Sequence, residues 1–196
     1  MRKVIVSAST EYAVLIGRGL LAQLGTEVAK RICPCKAAVI TDTTVEKLYA
    51  EQAEQSLAAA GFTTPCRFSY PAGEGSKHIG TLSDMLEFLA EQEITRQDII
   101  IALGGGVAGD MAGFAAAVYQ RGIRFVQVPT TFLAAVDSSV GGKTAIDLRA
   151  GKNMAGAFYQ PQLVLCDVDT LDTLPEEIFA DGIAETLKYG VIGDAK

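Results

Sequence analysis

Residues 98–113, DIIIALGGGVAGDMAG, constrain the fold of this chain more than any other stretch. The unbroken apolar run at 99–103 has the character of a parallel strand covered on both faces, and Gly104, Gly105, Gly106 and Gly109 then open a helical pattern. Such a break favours a phosphate. Without Cβ atoms the backbone can turn tightly and approach a ligand, while the free N–H groups and positive dipole end of the helix face an anion. Gly104, Gly106 and Gly109 satisfy G-x-G-x-x-G. The dinucleotide fingerprint also asks for an acidic residue about 20 positions on, for the ribose hydroxyls. None stands between Met111 and Val136. Two readings stay open here: an anion cradle whose ribose partner comes from elsewhere, or glycines that serve only a tight turn and close helix packing.

The rest of the chain alternates around this element. Short strands at 4–6 and 13–16, joined by a polar turn, read as an antiparallel pair at a sheet edge. A helix at 20–32, a strand at 37–40, a helix at 45–60 stopped by Gly61 and a strand at 66–70 follow. After the polar loop at 71–78 come a helix at 82–91, the central strand, and the helix behind the glycine turn, which Arg121-Gly122 ends. Strands at 125–128 and 163–166 and a helix at 175–188 complete the rhythm, with loops expected between 129 and 162. The expected fold is α/β and Rossmann-like: a mostly parallel sheet with helices on both faces and an N-terminal antiparallel strand pair. A length of 196 residues suits one domain of ordinary size or slightly more.

Charge and composition exclude several roles. A net charge of −6 speaks against sequence-independent binding of nucleic acid, which needs a basic surface. No apolar run approaches the roughly 18 residues of a membrane span, and Met1-Arg2-Lys3 leads into a strand without a signal-peptide pattern, so the cytosol is expected. Cys33 and Cys35 form a lone C-x-C; with Cys66 and Cys166 they read as reduced structural thiols. His78 is the single histidine, too few for a histidine metal cluster.

Candidate functional residues gather at strand ends and in polar stretches. Asp42 closes the third strand, at the edge where open α/β sheets bind ligands, and reads either as a ribose contact or as a helix cap. The loop at 71–78 carries Glu74 and Lys77, and Thr130 and Thr131 follow the strand at 125–128. Gly141-Gly142-Lys143-Thr144 resembles the tail of a Walker A motif, but the earlier glycine it requires falls on Asp137, so the match fails. Lys143, Lys152 and Asn153 remain candidate anion ligands in loops, each alone equally a solvated polar group. Glu185 and Lys188 share one helix face, as an ion pair or as a metal ligand beside an anion-binding ammonium.

Four blocks in order, GGGVAGDMAGFAAAVYQRG, VPTTFLAAVDSSVGGKTAID, GKNMAGAFYQP and GIAETLKYG, resemble the 3-dehydroquinate synthases. The resemblance implies NAD as a recycled catalyst, held by Asp42, Thr44, Glu74, Lys77, Gly105, Gly106, Val107, Gly109, Asp110, Thr130, Thr131, Lys143 and Lys152. It implies a phosphorylated sugar acid, 3-deoxy-D-arabino-heptulosonate 7-phosphate, met by Asp137, Lys143, Asn153 and Lys188. Arg121 would reach the partner's site in a homodimer, and Glu185 would be one of three ligands of a divalent metal, zinc or cobalt. The resemblance covers only that family's N-terminal part. Residues 1–175 are therefore expected to form an NAD-binding domain and 176–196 to begin a helical metal and substrate domain whose remainder, with the two ligand histidines, is absent. An apolar face that would pack on that domain is expected at the surface. Another sugar-phosphate cyclase, the NAD domain of a metal-dependent polyol dehydrogenase, and a non-catalytic NAD-binding module are the alternatives.

Overall fold

A computed structural model describes residues 1–193, so the last three residues of the expected second-domain segment lie outside the described residues. Seven strands make one sheet in the order β1-β2-β9-β6-β5-β3-β4. These are β1 (Arg2–Ser7), β2 (Glu11–Gly17), β3 (Lys36–Asp42), β4 (Thr63–Tyr70), β5 (Ile99–Gly104), β6 (Arg124–Pro129) and β9 (Leu163–Asp167). The pairing is parallel throughout except for β1 with β2. The expected α/β class, with its antiparallel N-terminal pair, is thus what the chain forms.

β5 explains why the sheet must be covered twice. Ile99, Ile101 and Leu103 face α1 (Leu24–Ala29) and α3 (Glu51–Ala59), packing with Leu24, Val28 and Leu57. Ile100 and Ala102 face α4 (Ile79–Glu91) and α5 (Gly106–Val118), packing with Leu82, Met85 and Met111. A side chain every second residue on each face leaves no polar position in the run. From β3 the chain moves outward to β4, whereas from β5 it moves the other way to β6, so the sheet has its topological switch point between the ends of β3 and β5. Open sheets bind ligands at such points.

Several elements differ from expectation, each for a local reason. The apolar residues of 20–32 are buried as their spacing predicts, but the segment is a 3₁₀ turn (Leu21–Gln23) followed by the short α1. The expected helix at 45–60 starts at Asp42 as α2 (Thr43–Val45), passes through one π turn (Glu46–Ala50) and becomes α3. α4 starts three residues early because His78 caps it: its Nδ1 accepts from the N–H groups of Gly80 and Thr81. His78, read as part of a loop, is a helix cap.

The largest correction concerns 143–158. Instead of loops, β7 (Lys143–Leu148) and β8 (Gly151–Phe158) form a separate antiparallel hairpin over α5. Ile146 is fully buried and anchors it in the core between α4 and α5. Lys143, Lys152 and Asn153 therefore sit on strands. α6 (Glu176–Ile192) is held through Phe179, whose ring stacks on Phe132 at 5.1 Å, and it leaves Ile183, Leu187 and Val191 exposed, an apolar surface of the kind expected.

Candidate functional site

A cleft of about 630 Å³ runs over the C-terminal ends of β3, β5 and β6. The glycine turn is its floor. Gly104 has φ +156°, and a Cβ there would lie 2.7 Å from that of Ala108, so the backbone can swing into α5 only without a side chain. No side chain caps α5, whose first turn begins with Gly106 and Val107 on the cleft. Its orphan N–H groups and dipole face the opening. The Thr130 hydroxyl, on a residue 2% exposed, is buried at the same floor and has no partner among the described residues. These features fit the anion and hydroxyls of a dinucleotide.

Asp42 satisfies both of its sequence readings. Its Oδ1 accepts from the N–H groups of Thr44 at 2.8 Å and Val45 at 3.0 Å, which is a helix cap. Its Oδ2 lies 3.6 Å from where a Cβ on Gly104 would sit, facing the glycine turn. One carboxylate can hold α2 and still offer an oxygen to a ribose.

The opposite end of the cleft is polar and tightly built. Lys77, 4% exposed, donates to Asp110 Oδ2 and to Asn153 Oδ1, both at 2.6 Å. Burial pushes the Asp110 carboxyl above the ordinary carboxylate range, against the opposing pull of Lys77. Asn153 holds a positive φ of 56°, and its N–H donates to Asp147 Oδ1 at 2.7 Å. The Asp147 N–H in turn donates to the Lys77 carbonyl at 2.8 Å, which ties the hairpin to the loop carrying Lys77. Lys152 reaches Glu74 at 3.2 Å on the surface.

A second cleft of about 530 Å³ opens between α5 and the hairpin, lined by Lys143, Asn153 and Thr144 among others. The two clefts share Asp110, Asp137 and Ser138 as a common wall. Asp137 accepts from the Tyr189 hydroxyl at 2.8 Å and lies 3.7 Å from the Lys143 ammonium. That hydrogen bond to a carboxylate pushes the Tyr189 hydroxyl up to about 12.

The expected cofactor residues converge, with exceptions. Asp42, Thr44, Glu74, Lys77, Gly105, Gly106, Val107, Asp110, Thr130 and Thr131 all line the first cleft, and Asp137, Lys143 and Asn153 line the second. Lys152 stands at the rim through Glu74. Gly109 lines neither cleft, because it is buried where a Cβ would meet Gln127. Arg121 ends the 3₁₀ turn that follows α5 (Tyr119–Arg121) on a positive φ of 68°, outside both clefts. Glu185 and Lys188 pair with each other on α6. Among the described residues no three His, Cys, Asp or Glu side chains group as a metal site, and Glu185 alone does not make one.

Sequence reading passed over Ser138, Tyr189, Tyr49 and Thr173. Tyr49 rides on the π turn, and its hydroxyl meets Thr173 Oγ1 at 2.6 Å, closing the far, apolar end of the cleft beside Leu48 and Leu174. No local signal joins residues 124 positions apart.

An open sheet whose switch point carries an uncapped glycine turn, a free carboxylate oxygen and a buried hydroxyl without a partner among the described residues makes this an open-sheet α/β domain with a cleft shaped for an anionic ligand, here joined to a second polar cleft. The family model for the N-terminal part of 3-dehydroquinate synthase matches residues 67–181. A curated 3-dehydroquinate synthase of Cereibacter sphaeroides is 51% identical over 184 residues, covering 94% of this chain and 50% of that protein. The chain belongs to the 3-dehydroquinate synthase family, and spans about half the length of the curated relatives it matches. Among solved structures, 2-deoxy-scyllo-inosose synthase complexed with carbaglucose-6-phosphate, NAD+ and Co2+ superposes with a TM-score of 0.90 at 28% identity, covering 98% of this chain and 52% of that one. The 2-epi-5-epi-valiolone synthase of Streptomyces hygroscopicus subsp. jinggangensis, with NAD+ and Zn2+ bound, gives a TM-score of 0.85 at 32% identity, covering 97% and 52%.

Proposed function

We propose that this chain is the NAD-binding part of a 3-dehydroquinate synthase and forms one side of its substrate site. The whole enzyme would convert 3-deoxy-D-arabino-heptulosonate 7-phosphate to 3-dehydroquinate and phosphate. The observation that carries this reading is the wall of Asp110, Asp137 and Ser138 between two clefts, which sets a dinucleotide end against a second, polar opening that carries Lys143 and Asn153.

In this reading Asp42 Oδ2 takes the adenosine ribose, the N–H groups at Gly105, Gly106 and Val107 take the pyrophosphate, and Thr44, Thr130 and Thr131 add hydroxyl contacts. The apolar end at Leu48 and Leu174 takes the adenine. Glu74, Lys77, Asp110 and Lys152 surround the nicotinamide end. When bound, NAD supplies a hydride acceptor for a ring hydroxyl of the sugar phosphate. Lys143 and Asn153 bind the anionic substrate across the hairpin, and Asp137 orients a substrate hydroxyl or holds its proton. Lys188 and, from a second subunit of a homodimer, Arg121 would complete the anion site. Glu185 would contribute to a divalent metal site only with histidines outside these residues. Residues 1–175 would be the NAD domain and 176–196 the opening of the helical one. Among the described residues no helix is long and apolar enough to cross a membrane, and a cytoplasmic location accords with that.

Asp42→Asn keeps the cap and removes the charge. It is expected to leave stability within about 0.5 kcal/mol while weakening NAD binding about tenfold or more. Calorimetric titration checks this, and unchanged affinity would remove Asp42 from the site. With His78 as its single histidine, the 196-residue chain alone is expected to release no phosphate from the sugar phosphate in the presence of NAD and zinc. Steady phosphate release would show that this chain holds a complete site. Accumulation of NADH instead of phosphate by the whole enzyme would favour a dehydrogenase.

A further inference from the structure

We propose that Gln127 is a positioning residue whose buried amide, wedged between Gly109 and Ser139, fixes the wall shared by the two clefts. Gln127 lies on β6 and is 2% exposed. Its Oε1 accepts from the Ser139 hydroxyl at 3.3 Å, and its Nε2 is buried without a partner among the described residues. On the other side the same amide occupies the space that Gly109 leaves on α5, where a Cβ would collide with Oε1.

Both contacts stand one or two residues from the common wall. Asp110 follows Gly109 on α5. Asp137 and Ser138 precede Ser139 and belong to a π turn, Ala134–Ser138. Backbone bonds close that turn on itself, from the Ser139 N–H to the Ala134 carbonyl at 3.1 Å and from the Val140 N–H to the Asp137 carbonyl at 3.0 Å. The Gln127–Ser139 hydrogen bond ties it to β6, beside the packing of Ala135 and Val140 on Tyr12, Val14, Val164 and Cys166 and the Gly141 N–H on the Tyr12 hydroxyl, while the Gly109 contact holds α5 against the same Gln127 side chain. Gln127 thus touches both the residue before Asp110 and the residue after Ser138, and it links the two halves of the wall from beneath.

Stability alone does not account for this choice. A buried donor without a partner is destabilising, and an apolar side chain of similar volume fills a core position without that penalty. The amide serves geometry. Without it the turn at 134–138 loses its tie to β6, and the opening between the clefts changes width. The end of a ligand lying at Asp110 and Asp137 then suffers, while the end at Asp42 does not.

The test uses the 196-residue chain with Gln127→Met and Ser139→Ala, the second removing one hydroxyl and preserving the fold if the first does not. Amide hydrogen exchange at Ala135, Ser139 and Val140 is expected to accelerate about tenfold or more, with the β5 amides unchanged. Equal acceleration in β5, or none at the turn, would overturn the proposal. Affinity for NAD is expected to fall about tenfold, while affinity for ADP-ribose, which lacks the nicotinamide, stays within about twofold. Equal loss for both ligands would also overturn it. The affinity change rests on the cofactor reading of the cleft; the exchange change does not. A wild-type chain that binds neither ligand therefore defeats the cofactor reading and leaves exchange to decide the role of Gln127. Gln127→Glu is isosteric, and its wild-type exchange pattern is expected to return as pH falls and the buried carboxyl takes a proton.

Discussion

Gly104→Ala is expected to abolish measurable NAD binding and to destabilise the chain by about 2–4 kcal/mol. Two effects combine at this position. The added Cβ would stand 2.7 Å from that of Ala108, inside the first turn of α5, and overpacking of this kind costs about 1–3 kcal/mol. The backbone also holds φ at +156°, where a side chain adds strain of about 1 kcal/mol or more. Relief requires the first turn of α5 to move away from the end of β5. That movement carries the N–H groups of Gly105, Gly106 and Val107 with it, so the anion cradle is lost along with the stability. Urea unfolding and calorimetric titration measure the two losses separately. A variant that unfolds within about 0.5 kcal/mol of the parent and still binds NAD would show that the turn does not depend on glycine there.

Lys77→Met is the second large effect, and its size depends on pH. In the parent the Lys77 and Asp110 side chains are 5% and 16% exposed and meet at 2.6 Å. Removing the ammonium leaves a carboxylate buried without its charge partner, which costs about 3–5 kcal/mol at neutral pH. Asn153 loses the donor to its side-chain oxygen in the same step. Asp110 already has a raised pKa because burial outweighs the pull of Lys77, and loss of Lys77 raises it further. A carboxyl that holds its proton more tightly when folded contributes stability below the ordinary carboxylate range, and that contribution is lost as pH rises through the folded value. The deficit of Lys77→Met should therefore be small in acid and grow towards neutrality. Urea melts across pH 4–8 read this directly, and a deficit independent of pH would refute the account. Adding Asp110→Asn should recover most of the loss at pH 7, since no buried charge then lacks a partner.

The central strand, the glycine turn and the position of Asp42 were legible because each rests on a local rule: an apolar run of strand length, glycines ahead of a helix, an acid at a strand end. The hairpin obeyed none. Lys143–Leu148 and Gly151–Phe158 mix Lys, Asn, Gly and Ala, with no alternation of apolar and polar residues, because one thin face packs on α5 and its two deeply buried side chains are the polar Thr144 and the apolar Ile146. Gly109 fitted the dinucleotide spacing, yet its smallness answers to Gln127, 18 positions further along and on a different element. The Asp137–Tyr189 and Tyr49–Thr173 contacts join residues 52 and 124 positions apart, beyond any window in which spacing carries information.

The order of the sheet also sets a schedule for its assembly. β9 is the only parallel neighbour that β2 has among the described strands, and it lies between β2 and the rest of the sheet. At synthesis rates of about 5–20 residues per second, the hairpin of β1 and β2 waits on the order of ten seconds after leaving the ribosome before Leu163–Asp167 follows it. Through that interval Tyr12, Val14 and Leu15, all buried in the finished fold, have no sheet to join. The nascent chain thus presents an unpaired, sticky edge, and its yield in a cell becomes a question of timing: slower elongation between β2 and β9 lengthens the exposure, and a chaperone that shields the first 17 residues shortens its consequences.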